Sequence, residues 1–254
     1  MTTNKEKAIE VLQSLENGNP TAIQEYINPS KYIQHNLGFP GGREVMIGAL
    51  DDLKTAGTNV DIKRVLVDGD YVAIHTDYHF FGPKAGFDIF RFENGQIVEH
   101  WDNLQEKVEK TPSGHTMFDG TTEISGEEKT EENKVLVKQF VQDVLMGQNA
   151  EKLTSYFDGD NYIQHNPAIA DGLSGLGAAL EAMAKQGIQM VYNQIHMVLG
   201  QGNFVLSVSG GTFAGVHTSF YDLFRVENGK IAEHWDVMET ILPEEQRKNT
   251  NGKF

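Results

Sequence analysis

A carboxylate two residues from an imidazole near the end of a strand is a simple acid–base pair, and this sequence has it twice. His100-Trp101-Asp102 recurs as His234-Trp235-Asp236. Each is preceded by an aspartate on an apolar stretch, Asp88 in Asp-Ile-Phe-Arg and Asp222 in Asp-Leu-Phe-Arg. Such groups are costly to bury without hydrogen bonds. A buried setting moves their pKa values toward neutrality, as proton transfer to or from carbon requires. Further upstream, Tyr32-Ile33-Gln34-His35-Asn36 returns unchanged as Tyr162-Ile163-Gln164-His165-Asn166. Its His-Asn pair offers a proton carrier and an amide donor for a developing oxyanion. The candidate catalytic residues are therefore Asp102, His35 and Asp88, with Asp236, His165 and Asp222 as their repeats. Candidate ligand-binding residues are Asn36, Tyr32, His100 and Phe90, with Asn166, Tyr162, His234 and Phe224 as repeats. His75 joins them in the first copy only.

His75, Asp77 and His79 share one face of a strand, a spacing that suits a metal. The second copy has Ser207-Val208-Ser209-Gly210-Gly211-Thr212 there. Loss of the histidines makes that a minor reading, and no metal is assigned. Trp101 and Trp235 alternate away from the proposed pocket face and are assigned to packing.

These residues sit in a tandem duplication. Glu93–Asp102 matches Glu227–Asp236, and the offset drifts by a few residues between the first motif and the last. Two copies are too few for a solenoid. The expected domains are 1–118 and 132–254, joined by an acidic linker over 119–131. Each copy reads helix, helix, helix, then strands. Ala8, Val11, Leu12 and Leu15 give a helical stripe that Gly18 ends. Pro20 suits a helix start, and a third helix is expected over 43–56. Strands are expected over 60–67, 71–81, 87–92 and 97–104. The fold class is α+β: two tandem domains, each a curved antiparallel sheet wrapped around N-terminal helices. A three-residue loop, Glu93-Asn94-Gly95, would pair Asp88 with His100 and gather Asp88, His100 and Asp102 on one face.

Composition narrows the classes of function. The 254 residues carry a net charge of −15 and no cysteine. The charge argues against nucleic acid and against anionic membrane surfaces. The missing thiols exclude disulfides and a cysteine nucleophile. No apolar run reaches the length of a bilayer span. The polar start, Met1–Lys7, leads to the expectation of a cytosolic chain without a signal peptide. There is no phosphate loop, dinucleotide fingerprint or nucleophile elbow.

The Tyr-Ile-Gln-His-Asn segment, the Asp-x-Phe-Arg…Asn-Gly…Glu-His-Trp-Asp hairpin and the tail Gly114-His115-Thr116-Met117-Phe118 together resemble the SnoaL-like, polyketide-cyclase-like branch of the nuclear transport factor 2 superfamily. The resemblance implies a cone-shaped α+β barrel with a pocket between sheet and helices. It implies a metal-free, cofactor-free aldol condensation in which Asp102 or Asp236 is the acid/base. Asp88 and Asp222 stand where the cyclases often carry histidine, a departure that bears on the mechanism. The first functional reading is a lyase, isomerase or cyclase acting on a small apolar carbonyl compound. Asp102 would remove a proton, His35 and Asn36 would stabilise the enolate, and Asp88 would orient a neighbour. The second is a non-catalytic small-ligand-binding module. The third is an internal pseudo-dimer of the two domains serving as a scaffold, with or without further homo-oligomerisation. The unequal histidines point to the first copy as the seat of chemistry.

Overall fold

The computed structural model describes residues 2–254. The first copy begins with α1 (Asn4–Asn17). Thr3 and Glu6 close its first turn as a capping box, and Gly18 ends it at φ 74°. Such a φ suits a residue without a Cβ. The predicted stripe is the buried one: Ala8, Val11 and Leu12 face inward. Next come α2 (Thr21–Tyr26), the two-residue strand β1 (Ile33–Gln34) and α3 (Arg43–Thr55). Four long strands follow: β2 (Asn59–Asp68), β3 (Tyr71–His79), β4 (Pro83–Glu93) and β5 (Gln96–Glu106).

The second copy repeats the plan, with α4 (Thr130–Phe140), β6 (Ile163–Gln164), α5 (Gly172–Lys185) and the strands β7 (Met190–Gln201), β8 (Phe204–Phe213), β9 (Val216–Glu227) and β10 (Lys230–Thr240). Its second helix is a 3₁₀ segment over Ala150–Tyr156. Each copy thus holds helices and a five-stranded mixed sheet, in the orders β1-β5-β4-β3-β2 and β6-β10-β9-β8-β7. The α+β class and the tandem organisation are as the sequence implies. Among the described residues each sheet is open, with β1 and β2, or β6 and β7, at its edges, so the implied barrel is an open mixed sheet. No helix of the described chain is long and apolar enough to cross a membrane.

The β4–β5 hairpin differs from expectation in an instructive way. Asn94 and Gly95 both take positive φ, 50° and 75°, and make a two-residue turn that pairs Glu93 with Gln96. A straight ladder from that turn would place Asp88 opposite Trp101. The register instead shifts between Arg91 and Phe92, where Val98 is the extra residue of a bulge, and Asp88 pairs with Asp102 and Phe90 with His100. The expected three-residue loop would have paired Asp88 with His100. The two registers differ by two residues, so the same side chains share a face in both. The second hairpin bulges at the equivalent place, pairing Asp222 with Asp236 and Phe224 with His234.

The compact units do not follow the repeat boundaries. Unit 1 contains residues 1–106 together with 241–254, and unit 2 contains 107–240. The tail after each copy therefore belongs to the other copy's unit. In unit 1, Asn249 Nδ2 donates to the carbonyls of Asn36 and Phe39 at 2.8 and 2.9 Å, and Asn251 Nδ2 donates to Gln34 O at 2.9 Å. In unit 2, Trp235 Nε1 donates to Asp119 O at 3.0 Å. Gly120 passes so close to the sheet that a Cβ would lie 2.0 Å from Glu233 Oε1, and its φ is 87°.

Asn249→Ala takes a donor from both carbonyls, leaving Asn36 O only the Phe39 N–H, and is expected to destabilise unit 1 by about 1–3 kcal/mol. Urea unfolding followed by Trp101 fluorescence in a Trp235→Phe background reads this. An unchanged midpoint would show that the tail gives unit 1 no support.

Candidate active site

Alternation along β1 and β5 decides which side chains meet. β1 runs parallel to β5, with Gln34 beside His100. Gln34, Asn36, Asp88, His100 and Asp102 therefore converge on one face, turned toward the helices. They line a cavity whose other walls are Val11, Leu12, Leu15, Phe39, Met46, Leu53, Tyr78, Phe80, Phe90 and Leu104. About 80 Å³ is open to the centre of a water-sized sphere, where one water needs about 10–15 Å³ on the same measure. The space suits a small organic molecule.

The polar groups form two linked sets. In the first, Asn36 Nδ2 donates to Asp102 Oδ2 at 2.6 Å. Asp102 is 5% exposed, and its other oxygen, Oδ1, has no hydrogen-bond partner. In the second, Asn36 N donates to Gln34 Oε1 at 2.9 Å, which fixes the orientation of that amide. Gln34 Oε1 is thus the acceptor for His100 Nδ1 at 2.9 Å. His100 Nε2 then faces Asp88 Oδ1 at 2.9 Å, and Tyr78 donates its hydroxyl to Asp88 Oδ2 at 2.6 Å. Burial raises the Asp88 pKa, against the opposing pull of His100. Phe90 stacks on His100 with centroids 4.7 Å apart. Tyr32 lies at the margin, its hydroxyl 3.4 Å from Gln34 Nε2, and burial raises its pKa.

Unit 2 reproduces the constellation. Asn166 Nδ2 donates to Asp236 Oδ2 at 2.7 Å, and Asp236 Oδ1 again has no partner. His234 spans Gln164 Oε1 at 3.0 Å and Asp222 Oδ1 at 3.2 Å, and Phe224 stacks on it. Gln164 Nε2 reaches the Tyr162 hydroxyl at 3.1 Å. The tyrosine on the aspartate comes from a different strand. Gly211 stands where the ladder of unit 1 has Tyr78, and a Cβ there would meet Val191 O at 1.8 Å. Tyr192, its partner on β7, reaches across to Asp222 at 3.2 Å instead. The glycine pair thus admits a close neighbouring strand; the bulges lie on β7 itself. Aromatic rings also pack together in this interior. Phe140 packs edge-on against Tyr156, Phe157 and Phe224, and Phe157 packs against Tyr162.

Three of the expected site residues lie elsewhere. His35 and His165 do not converge with the aspartates, because alternation turns them to the opposite face from Gln34 and Asn36. His35 stacks on Trp101 at 4.7 Å, with Nε2 on Glu99 Oε1 and Nδ1 on Gly252 O, both at 2.9 Å. His165 stacks on Trp235 at 4.6 Å, with Nε2 on Glu233 Oε1 at 2.9 Å and Nδ1 on Thr116 O at 2.8 Å. Arg91 and Arg225 hold the far oxygens of those glutamates at 2.7 Å. The enolate-stabilising role is therefore closed to both histidines. His75 also faces away from the cavity. It pairs with Phe87, stacks on it at 4.4 Å, and has Arg64 Nη1 at 3.3 Å from its Nδ1.

Gln34, Gln164, Tyr78 and Tyr192 complete the two sites from outside the acid–base motifs. Gln34 was legible from strand alternation; Tyr192 was not, since it substitutes across strands. Lys253 joins them. The exchanged tail buries it in unit 1 at 6% exposure, with Nζ donating to Asp102 O at 2.8 Å and lying 3.8 Å from Asp102 Oδ1. Met117 holds the equivalent place in unit 2, counting from the carbonyls of Gly252 and Thr116 that face His35 and His165. Asp88, His100 and Asp102 offer ligand atoms within 4.8 Å of one another, a spacing that admits a metal. His100 spans Gln34 Oε1 and Asp88 Oδ1 there, and Asn36 holds Asp102 Oδ2.

The sequence model of the SnoaL-like domain matches residues 8–100 and again 137–234. No curated protein sequence matches the chain. Among solved structures, an NTF2-like protein of unknown function from Cytophaga hutchinsonii aligns at 17% identity over 41% of this chain and 92% of its own, with a TM-score of 0.35. A candidate polyketide cyclase from Bacillus cereus aligns at 20% identity over 39% of this chain and 72% of its own, with a TM-score of 0.36. A protein with a ketosteroid isomerase-like fold from Catenulispora acidiphila, in complex with trimethylamine, aligns at 22% identity over 39% and 85%, with a TM-score of 0.34.

Burial raises the Asp236 pKa to about 6 from 3.8, with Asp222 adding to the rise and His234 and Asn166 opposing it. The folded value lies above the unfolded one, so the native state holds this proton longer. The resulting stability is complete below about pH 4 and is lost as pH rises through about 6. The difference corresponds to about 3 kcal/mol. Asp236→Asn is expected to flatten this part of the stability–pH curve and to exceed the parent in stability above pH 6. A parent curve that rises across the same interval would contradict the shift.

Proposed function

Because the chain belongs to the SnoaL-like domain family, in two tandem copies, we propose that unit 1 binds a small apolar carbonyl compound and moves a proton at the carbon next to its carbonyl. The observation that carries this reading is Asp102: a buried carboxylate with one oxygen held by Asn36 and the other without a hydrogen-bond partner. An oxygen so placed suits a general base that takes a proton from carbon. The carbon–hydrogen bond breaks, its proton moves to Asp102 Oδ1, and its electron pair passes to the carbonyl oxygen as an enolate. The Tyr78–Asp88–His100 set lies across from that oxygen on the same face. The Tyr78 hydroxyl, held on Asp88 Oδ2 at 2.6 Å, turns to the carbonyl oxygen as the donor for its developing charge, with Asp88 beside it. Return of the proton to another carbon is isomerisation. Attack of the enolate on a second carbonyl is aldol condensation.

Asn36 keeps a role in this account as the group that orients Asp102. Lys253 sets a positive charge beside the same carboxylate, and unit 2 has Met117 instead. With Phe140 packed on Phe224 and Phe157 packed on Tyr162, unit 2 is assigned the lesser share of the activity.

A panel of small enolisable ketones in deuterated water tests the reading directly, since enolisation exchanges the α-protons for deuterium. Asp102→Asn is expected to lower the protein-dependent exchange rate by about 10²–10⁴-fold. Asp236→Asn is expected to leave most of it. Exchange that survives Asp102→Asn would remove Asp102 from the role of base. Saturable ketone binding with no exchange would favour the binding-module reading.

A further inference from the structure

We propose that unit 2 carries a divalent-metal site, of the zinc class, on the face of its sheet opposite the pocket. Its ligands are His115, Asp119 and His165, with the Thr116 carbonyl beside them. The side-chain ligand atoms all lie within 4.8 Å of one another. His165 Nδ1 is 3.0 Å from Asp119 Oδ1 and 2.8 Å from Thr116 O, and His115 Nδ1 is 3.4 Å from Asp119 Oδ2. Four ligands placed tetrahedrally at about 2.0–2.1 Å from zinc stand about 3.3 Å apart. The observed separations already approach that spacing.

The outer partners strengthen the case. A metal-bound imidazole ordinarily gives its second N–H to a carboxylate, which fixes the tautomer. Both histidines have that arrangement. His165 Nε2 meets Glu233 Oε1 at 2.9 Å, and Glu233 is itself held by Arg225. His115 Nε2 meets Asp171 Oδ2 at 3.2 Å. With those protons given outward, each Nδ1 turns a lone pair toward Asp119. Two imidazole nitrogens, a carboxylate and a carbonyl then face one gap, with Asp119 Oδ1 steadied by Thr116 N at 2.8 Å and Thr116 Oγ1 at 3.0 Å. A divalent cation in that gap would take both lone pairs. The side chains of His115 and Asp119 are 35% and 47% exposed, so an ion has a way in.

Unit 1 is an internal control. His35 is placed as His165 is, with Glu99 on Nε2 and the Gly252 carbonyl on Nδ1. Asn251 stands where unit 2 has His115, so one of the two imidazole ligands is missing there. Bound metal in unit 2 would tie the exchanged tail, through residues 115–119, to the sheet that holds His165.

The test is isothermal titration of the metal-stripped whole chain with zinc chloride at neutral pH, with cobalt(II) as a spectroscopic substitute. One equivalent is expected to bind, and cobalt is expected to give the visible absorption of a tetrahedral nitrogen–oxygen site. His115→Ala and Asp119→Asn change surface groups and are expected to abolish binding with the circular dichroism unchanged. Asp171→Asn should weaken it by about tenfold, as loss of an outer partner does. His196→Ala and Asp88→Asn should leave it unchanged. No saturable binding, binding that survives His115→Ala, or binding lost through Asp88→Asn would overturn the proposal.

Discussion

The site depends on one extra residue in a hairpin. A two-residue Asn-Gly turn sets the register of β4 against β5, and the Val98 bulge moves it on by one. Without the bulge Asp88 would face Trp101, and the carboxylate pair would be split between opposite faces of the sheet. With it, Asp88, His100 and Asp102 share the face turned toward the helices, while Glu99 and Trp101 share the other. The second hairpin keeps the same bulge although its flanking residues differ. A bulge also bends the strand that carries it, which helps the sheet curve over its helices.

The two faces then take on separate work. The inner one supplies carboxylates in an apolar setting, where burial raises Asp88 and Asp236. The outer one supplies an ionic and aromatic bed of His on Trp, Glu on His and Arg on Glu, on which the exchanged tail rests. In both units the tail carbonyl meets the histidine, and in unit 2 Gly120 lets the backbone pass over Glu233. The exchange gives the copies different chemistry. Unit 1 receives Lys253 beside Asp102, and unit 2 receives His115 and Asp119 beside His165.

Much of this was legible in the sequence. The repeat gave the tandem organisation, and helices followed by strands gave the α+β class. Period-two alternation placed Asp88, His100 and Asp102 together. The same alternation, applied to Tyr32–Asn36, separates His35 from Asn36 and brings in Gln34; grouping His35 with its chain neighbour was the error. The bulge was hidden because the turn sequence permits either loop length and the two registers have the same parity. Tyr192 in place of Tyr78 was hidden because the replacement crosses strands. The tail exchange was hidden because it rests on contacts far apart in the chain, such as Asn249 with Asn36.

The proposed chemistry requires an inner face that can hold an enolate between Asp102 and the Tyr78–Asp88 pair. Phenol, a planar stand-in for an enol, tests this most directly through the crystal structure of the whole chain in its presence. The account predicts the ring in unit 1 between Phe90 and Leu104, its oxygen on Tyr78 and Asp88, and a ring carbon against Asp102 Oδ1. A ring seated elsewhere, or seated there with its oxygen turned away from Tyr78 and Asp88, would contradict it.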